Sequence, residues 1–73
     1  MPETRLIDGR EMLPPEPLER AVAALAALLP GQELVLLLNC EPLPLYTILD
    51  RSGHPYHAVQ RPAGHYEIHV RKT

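Results

Sequence analysis

The chain has 73 residues, with 7 Lys and Arg against 9 Asp and Glu, a net charge of −2, and neither Trp nor Phe. A domain this short buries only roughly 60% of its unfolded surface, so leucine and valine must build a small core. One cysteine excludes an intramolecular disulfide, the mixed charges leave no basic face for nucleic acid, and no apolar stretch approaches the roughly 20 residues that span a bilayer.

The first residues are charged and no apolar run follows them, so no secretory signal is read. The expectation is a cytoplasmic protein folded as a single domain over residues 1–73. Nine prolines sit between apolar segments, as punctuation in a folded chain and not as a low-complexity tract.

In chain order, Thr4 to Asp8 reads as a short strand with Leu6 and Ile7 as its apolar part, and Asp8-Gly9-Arg10 breaks it. The box Leu13-Pro14-Pro15-Glu16-Pro17 follows. Proline cannot donate a backbone hydrogen bond, but first-turn N–H groups of a helix have no intrahelical partner, so prolines are tolerated there. These prolines stiffen the loop and set the start of a helix over residues 15–29. Leu18, Val22, Leu25 and Leu29 form its expected apolar stripe, and Glu16 and Glu19 complement the dipole of its first turn. Pro30-Gly31 ends it.

Residues 34–38, LVLLL, form an unbroken apolar run that suits a central strand with a parallel neighbour. Residues 34, 36 and 38 point one way and 35 and 37 the other. Asn39-Cys40-Glu41-Pro42 is a turn, and a second helix is predicted over 43–51 with Leu45, Ile48 and Leu49 inward. Ser52-Gly53 stops it. Strands over 56–61 and 65–70 flank Pro62-Ala63-Gly64 as a hairpin. Tyr66, Ile68 and Val70 alternate there with His65, Glu67 and His69, which makes a half-buried strand.

The order βαβαββ, with right-handed crossovers, places both helices on one face of a four-stranded mixed sheet. The fold class is α/β, a two-layer sandwich with one open face. Some aliphatics of the 34–38 run must face that open side, and an apolar patch there marks a protein partner or a homodimer surface.

The box and the element order resemble the TusA/SirA-like family of small bacterial sulfur carriers. In that family a short strand ending in Leu-Asp is followed, six residues after the Asp, by Cys-Pro-x-Pro at the start of the first helix. Here Ile7-Asp8 is followed at that spacing by Pro14, then Pro15-Glu16-Pro17. Leu28-Leu29-Pro30-Gly31-Gln32-Glu33-Leu34 also looks like the family's helix-to-strand link. A closer resemblance is to a cysteine-lacking branch, domain-of-unknown-function family 2249, with a Pro-Pro-x-Pro box and a later Asn-x-x-Pro-x-Pro-Leu stretch. Asn39-Cys40-Glu41-Pro42-Leu43-Pro44-Leu45 is similar to that stretch. The resemblance covers about residues 5–71 and implies architecture, with no established activity. Proline at position 14 holds no nucleophile, so persulfide transfer through the box is excluded.

The binding residues expected at this sheet edge are Pro14, Pro15, Glu16, Pro17, Asn39, Glu41 and Pro42. Cys40, the only thiol, should emerge at the same edge as Pro14 and before the second helix, where a displaced sulfur carrier or redox thiol is the alternative to a plain loop residue. Asp8, Glu16 and Glu41 are expected to gather there, chiefly in capping and solvation. His54, His57, His65 and His69 lie in the last third of the chain. His65 and His69 would share a strand face about 13 Å apart, too far to ligate one ion, so His57 from the neighbouring strand or a second chain would have to complete a metal site. No Ser-His-Asp order, phosphate loop or Walker lysine occurs. The reading is a non-catalytic binding module with a protein partner and no cofactor. Sulfur carriage or thiol redox through Cys40, and ligand or metal binding through the histidines, are the alternatives.

Overall fold

The LVLLL run decides the architecture. In the computed structural model, which describes residues 4–73, it is β2 (Glu33–Leu38), an interior strand of a four-stranded sheet. The other elements are β1 (Thr4–Asp8), α1 (Glu16–Ala27), α2 (Leu43–Ser52), β3 (Tyr56–Gln60) and β4 (Tyr66–Arg71). The sheet order is β1-β2-β4-β3. β1 runs parallel to β2 with Leu6 beside Val35, whereas β4 runs antiparallel to both β2 and β3, with Leu36 opposite Ile68 and His57 opposite His69. The expected α/β two-layer order βαβαββ is the one observed.

Alternation along β2 splits its side chains between two environments. Leu34, Leu36 and Leu38 are buried with Ile68 and Val70 beneath Ala21, Ala24, Leu25 and Leu28 of α1 and its cap, and beneath Leu45 and Leu49 of α2. Val35 and Leu37 lie half-buried on the opposite face. Each fully buried aliphatic contributes about 1.5–3 kcal/mol. Among the described residues no polar or charged residue is buried, so the core carries no desolvation penalty.

Both helices begin in the same way. Pro15 is the N-cap of α1 and Pro17 stands in its first turn; Pro42 is the N-cap of α2 and Pro44 stands in its first turn. Neither N-terminus has a side-chain cap. The first helical bonds run to the carbonyls of these prolines, from Glu19 at 3.1 Å in α1 and from Leu45 and Tyr46 at 2.9 and 3.1 Å in α2. At its other end α1 has no basic residue in the last turn, but Lys72 Nζ donates to the Leu25 carbonyl, a cation at the negative end of the dipole.

The structure corrects four local expectations. α1 ends at Ala27, not at 29: Leu28 is already extended, and Leu29, which precedes Pro30, is steered away from helical backbone as well. Its buried face is Ala21, Ala24, Leu25 and Leu28, with Leu18 partly buried, while Val22 and Leu29 are exposed by 42% and 65%. The leucines of β2 fill the space between the layers, so alanines occupy the closest approach of helix to sheet. In α2, Leu45 and Leu49 face inward but Ile48 is exposed, and Tyr46 takes the flank by stacking on Tyr56 with ring centroids 4.9 Å apart. The hairpin shifts by one residue: His65 lies outside β4, its carbonyl accepting from Arg61 N–H at 2.8 Å, and Gly64 takes φ +99°. Among the described residues no helix is long and apolar enough to cross a membrane.

Candidate functional site

The parallel pairing of β1 with β2 sends both strands out at one edge of the sheet, and both proline-rich segments follow directly. The loop after β1 is tied down first. Gly9 N–H donates to the Leu37 carbonyl at 2.8 Å and Met12 N–H to the Gly9 carbonyl at 3.2 Å. Asp8 accepts from the Arg10 N–H at 3.1 Å and from its guanidinium at 2.9 and 2.8 Å. This contact holds the Asp8 carboxyl at a pKa of about 2, below the usual carboxylate range. Asn39 Nδ2 then donates to the Arg10 carbonyl at 2.6 Å. That bond joins the two motifs.

Between them lies a groove of about 500 Å³. Pro14, Pro15 and Pro17 form one wall, Asn39, Cys40, Glu41, Pro42 and Pro44 the other, and Met12, Leu18, Leu38 and Leu45 the apolar floor. The Pro14–Pro15 peptide is cis. Leu13 and Leu43, exposed by 80% and 63%, stand next in sequence to Pro14 and Pro42.

Of the residues expected to bind, Pro14, Pro15, Pro17, Asn39, Glu41 and Pro42 line this groove. Asn39 also serves the fold through its bond to Arg10. Glu16 does not line it and reaches Arg20 one helical turn on, at 3.3 Å. Glu41 is exposed and accepts from the Tyr46 hydroxyl at 3.5 Å. The three carboxylates therefore form no cluster. Each serves its own neighbour. Cys40 is an exposed free thiol in the groove wall. Sequence reasoning missed Met12, Leu18, Leu38 and Leu45 as floor residues, because the groove floor is the exposed end of the core. The signal available was Gly9: a Cβ there would sit 2.8 Å from Leu38 Cδ2, so a close crossing of the two strand ends was written in that glycine.

The histidines take separate roles. His54 Nδ1 meets the Thr73 hydroxyl at 3.0 Å and its backbone N–H at 3.2 Å. His57 and His69 face each other across β3 and β4, with parallel rings 4.8 Å apart. His65 stands one residue before β4, so only His69 of the two is a strand residue. His69 Nε2 lies 3.2 Å from Glu67, whose carboxylate is gripped by Arg61 through two bonds of 2.7 and 2.8 Å. Arg61, and then His69, hold the Glu67 pKa at about 2. Among the described residues no three His, Cys, Asp or Glu side chains converge as ligands for a metal ion.

This arrangement offers shape and apolar surface, and one accessible thiol. No histidine lines the groove beside that thiol, and Glu41 is the one carboxylate there. Comparison with solved structures finds a SirA-like protein from Desulfitobacterium hafniense, 23% identical, with a TM-score of 0.81 over 90% of this chain and 93% of that one. At that identity the likeness concerns the fold. No curated protein matches the chain. The family model of DUF2249, described as an uncharacterized conserved protein, matches residues 6–72. The stretch it spans runs from within β1 through both proline-rich segments, β2, both helices and the hairpin, and the chain therefore belongs to the DUF2249 family.

Proposed function

We propose that this domain is a non-catalytic binding module whose proline-walled groove docks a segment of a partner protein. The observation that carries this reading is the convergence of the two proline-rich segments on one apolar groove, with Leu13 and Leu43 exposed beside them. Exposed apolar surface next to a rigid concavity is a feature of protein interaction sites. Prolines at both helix starts reduce the ordering cost on docking. The carboxylate in the groove lining is the exposed Glu41, so the segment that fits presents an apolar side chain with a basic residue beside it. The SirA-like fold suggests a cytoplasmic protein with a partner in sulfur, redox or metal metabolism, an inference from fold analogy alone.

A photo-crosslinking residue placed at Leu13 should trap the partner, and purified partner then allows affinity to be measured. Leu13→Glu and Leu43→Glu are each expected to weaken binding about tenfold or more, with folding unchanged, while Cys40→Ser binds as wild type. Loss of binding in Cys40→Ser with retention in both leucine variants would refute the docking role. The exposure of Cys40 in the groove wall supports one competing reading, a displaced sulfur carrier. Intact-mass spectrometry after incubation with a cysteine desulfurase and cysteine separates the two. The docking reading expects no added sulfur, with a control carrier loaded in parallel. A gain of one sulfur atom, absent in Cys40→Ser, would favour the carrier.

A further inference from the structure

The sheet has two edges, and they differ. β3 is flanked by Pro55 immediately before it and Pro62 shortly after it, and proline near an edge strand discourages further pairing. β1 contains no proline, and no described strand pairs with its outer side. Its backbone orientation follows from one bond. Gly9 N–H points to the Leu37 carbonyl of β2 at 2.8 Å. Successive residues of a strand alternate in the direction of their N–H and C=O groups. Ile7 and Arg5 therefore turn theirs toward β2, and Thr4, Leu6 and Asp8 turn theirs off the free edge.

The two faces beside this edge have different chemistry. On the helix side, a groove of about 510 Å³ separates β1 from α1, lined by Arg5, Ile7, Met12, Arg20, Ala23 and Ala27 among others. The alanines leave it wide. Arg5 has no ion pair among the described residues, and Arg20 meets Glu16 only through an exposed contact. The one carboxylate at the groove, Asp8, is neutralised by Arg10. On the open side, Leu6 is exposed by 63% beside Val35.

The geometry points to strand addition at β1 by an extended partner segment in which acidic and apolar residues alternate. The outward N–H and C=O groups of Thr4, Leu6 and Asp8 supply the ladder. One set of the added side chains enters the groove toward Arg5 and Arg20. The other set covers Leu6 on the open face. This is β-augmentation, in which main-chain bonds give affinity and alternate side chains give specificity. A second copy of this chain fits poorly. Antiparallel pairing of β1 with itself about Leu6 gathers Arg5 and Arg20 of both copies along one seam, whereas an acidic segment neutralises them.

The test uses isotopically labelled full chain and three blocked seven-residue peptides: one alternating Glu and Val, its Lys and Val twin, and the Glu–Val peptide with a central proline. The Glu–Val peptide should bind about tenfold or more tightly than the Lys–Val twin, shift the resonances of residues 4–8, and slow amide exchange at Leu6 and Asp8. The proline peptide should lose most of that affinity. Arg5→Glu should reverse the charge preference without lowering the melting temperature, and Arg20→Glu provides the same check from α1. Equal affinity for the two charged peptides, or shifts confined to the proline-walled groove, would overturn the proposal. So would a sedimentation shift to dimer with the Leu6 amide protected in the absence of peptide, because a second copy would then hold the edge.

Discussion

The proline-walled groove and the polar half of the open sheet face differ in what their polar groups are already doing. On the open face, Arg61, Glu67, His69 and His57 form a ladder across β3 and β4, and Arg71 meets Glu33 at 3.2 Å. These charges answer one another, so a partner would have to displace them before using them. The groove is mostly proline and leucine, and the bond from Asn39 to Arg10 stiffens its frame. Little has to be desolvated there before an apolar side chain enters. Charge-rich surface is thus the less available of the two. Arg71 and Lys72, the C-terminal basic pair in the sequence, illustrate the same point: one meets Glu33 and the other caps α1.

The largest expected effect comes from Leu38, which belongs to both the core and the groove floor. Leu38→Ala should cost about 2–5 kcal/mol in urea unfolding, against about 1 kcal/mol for its neighbour Leu37→Ala on the open face. Equal costs would mean that the two faces of β2 are not separated as described. Next is Gly9→Ala, whose new methyl meets Leu38 Cδ2 at 2.8 Å and the Leu37 carbonyl at 3.3 Å. It should cost about 1–3 kcal/mol and perturb the resonances of Leu38 and Pro17, with the histidine pair unchanged.

Acid unfolding probes the other surface. Glu67 titrates at about 2 in the fold against a reference value of 4.5. The unfolded chain therefore binds more protons in that window, and stability falls as pH drops from about 4.5 toward 2. Asp8 acts in the same sense from 3.8 to about 2. Glu67→Gln should flatten part of this limb. An unchanged limb would show that the Arg61 grip is not maintained in solution. The smallest effect is expected for exposed Cys40: Cys40→Ser should change stability by no more than about 0.5 kcal/mol, and a larger loss would place the thiol in the packing of the groove.

The order of the six elements was legible from local chemistry: prolines at the start of each helix, Gly53 after the second, alternation in the last strand and an unbroken apolar run in the second. Strand boundaries followed to within a residue, because proline, glycine and period-two patterning act on the backbone directly. The convergence of the Pro14 and Asn39 segments was also readable, since parallel neighbours must emerge at one edge. Which side of each helix is buried was not. Val22, Leu29 and Ile48 satisfy a helical stripe as well as Ala21, Ala24 and Tyr46 do, and only the distance from helix to sheet, set by Leu34 and Leu36, chooses between them. The same holds for polar partners. Nothing local says that Asn39 reaches Arg10, that Lys72 caps α1 or that Arg61 grips Glu67, because those contacts form only when distant strands take their places. Local backbone preferences determined the elements; packing distance and long-range pairing decided their faces, their bonds and the shape of the groove.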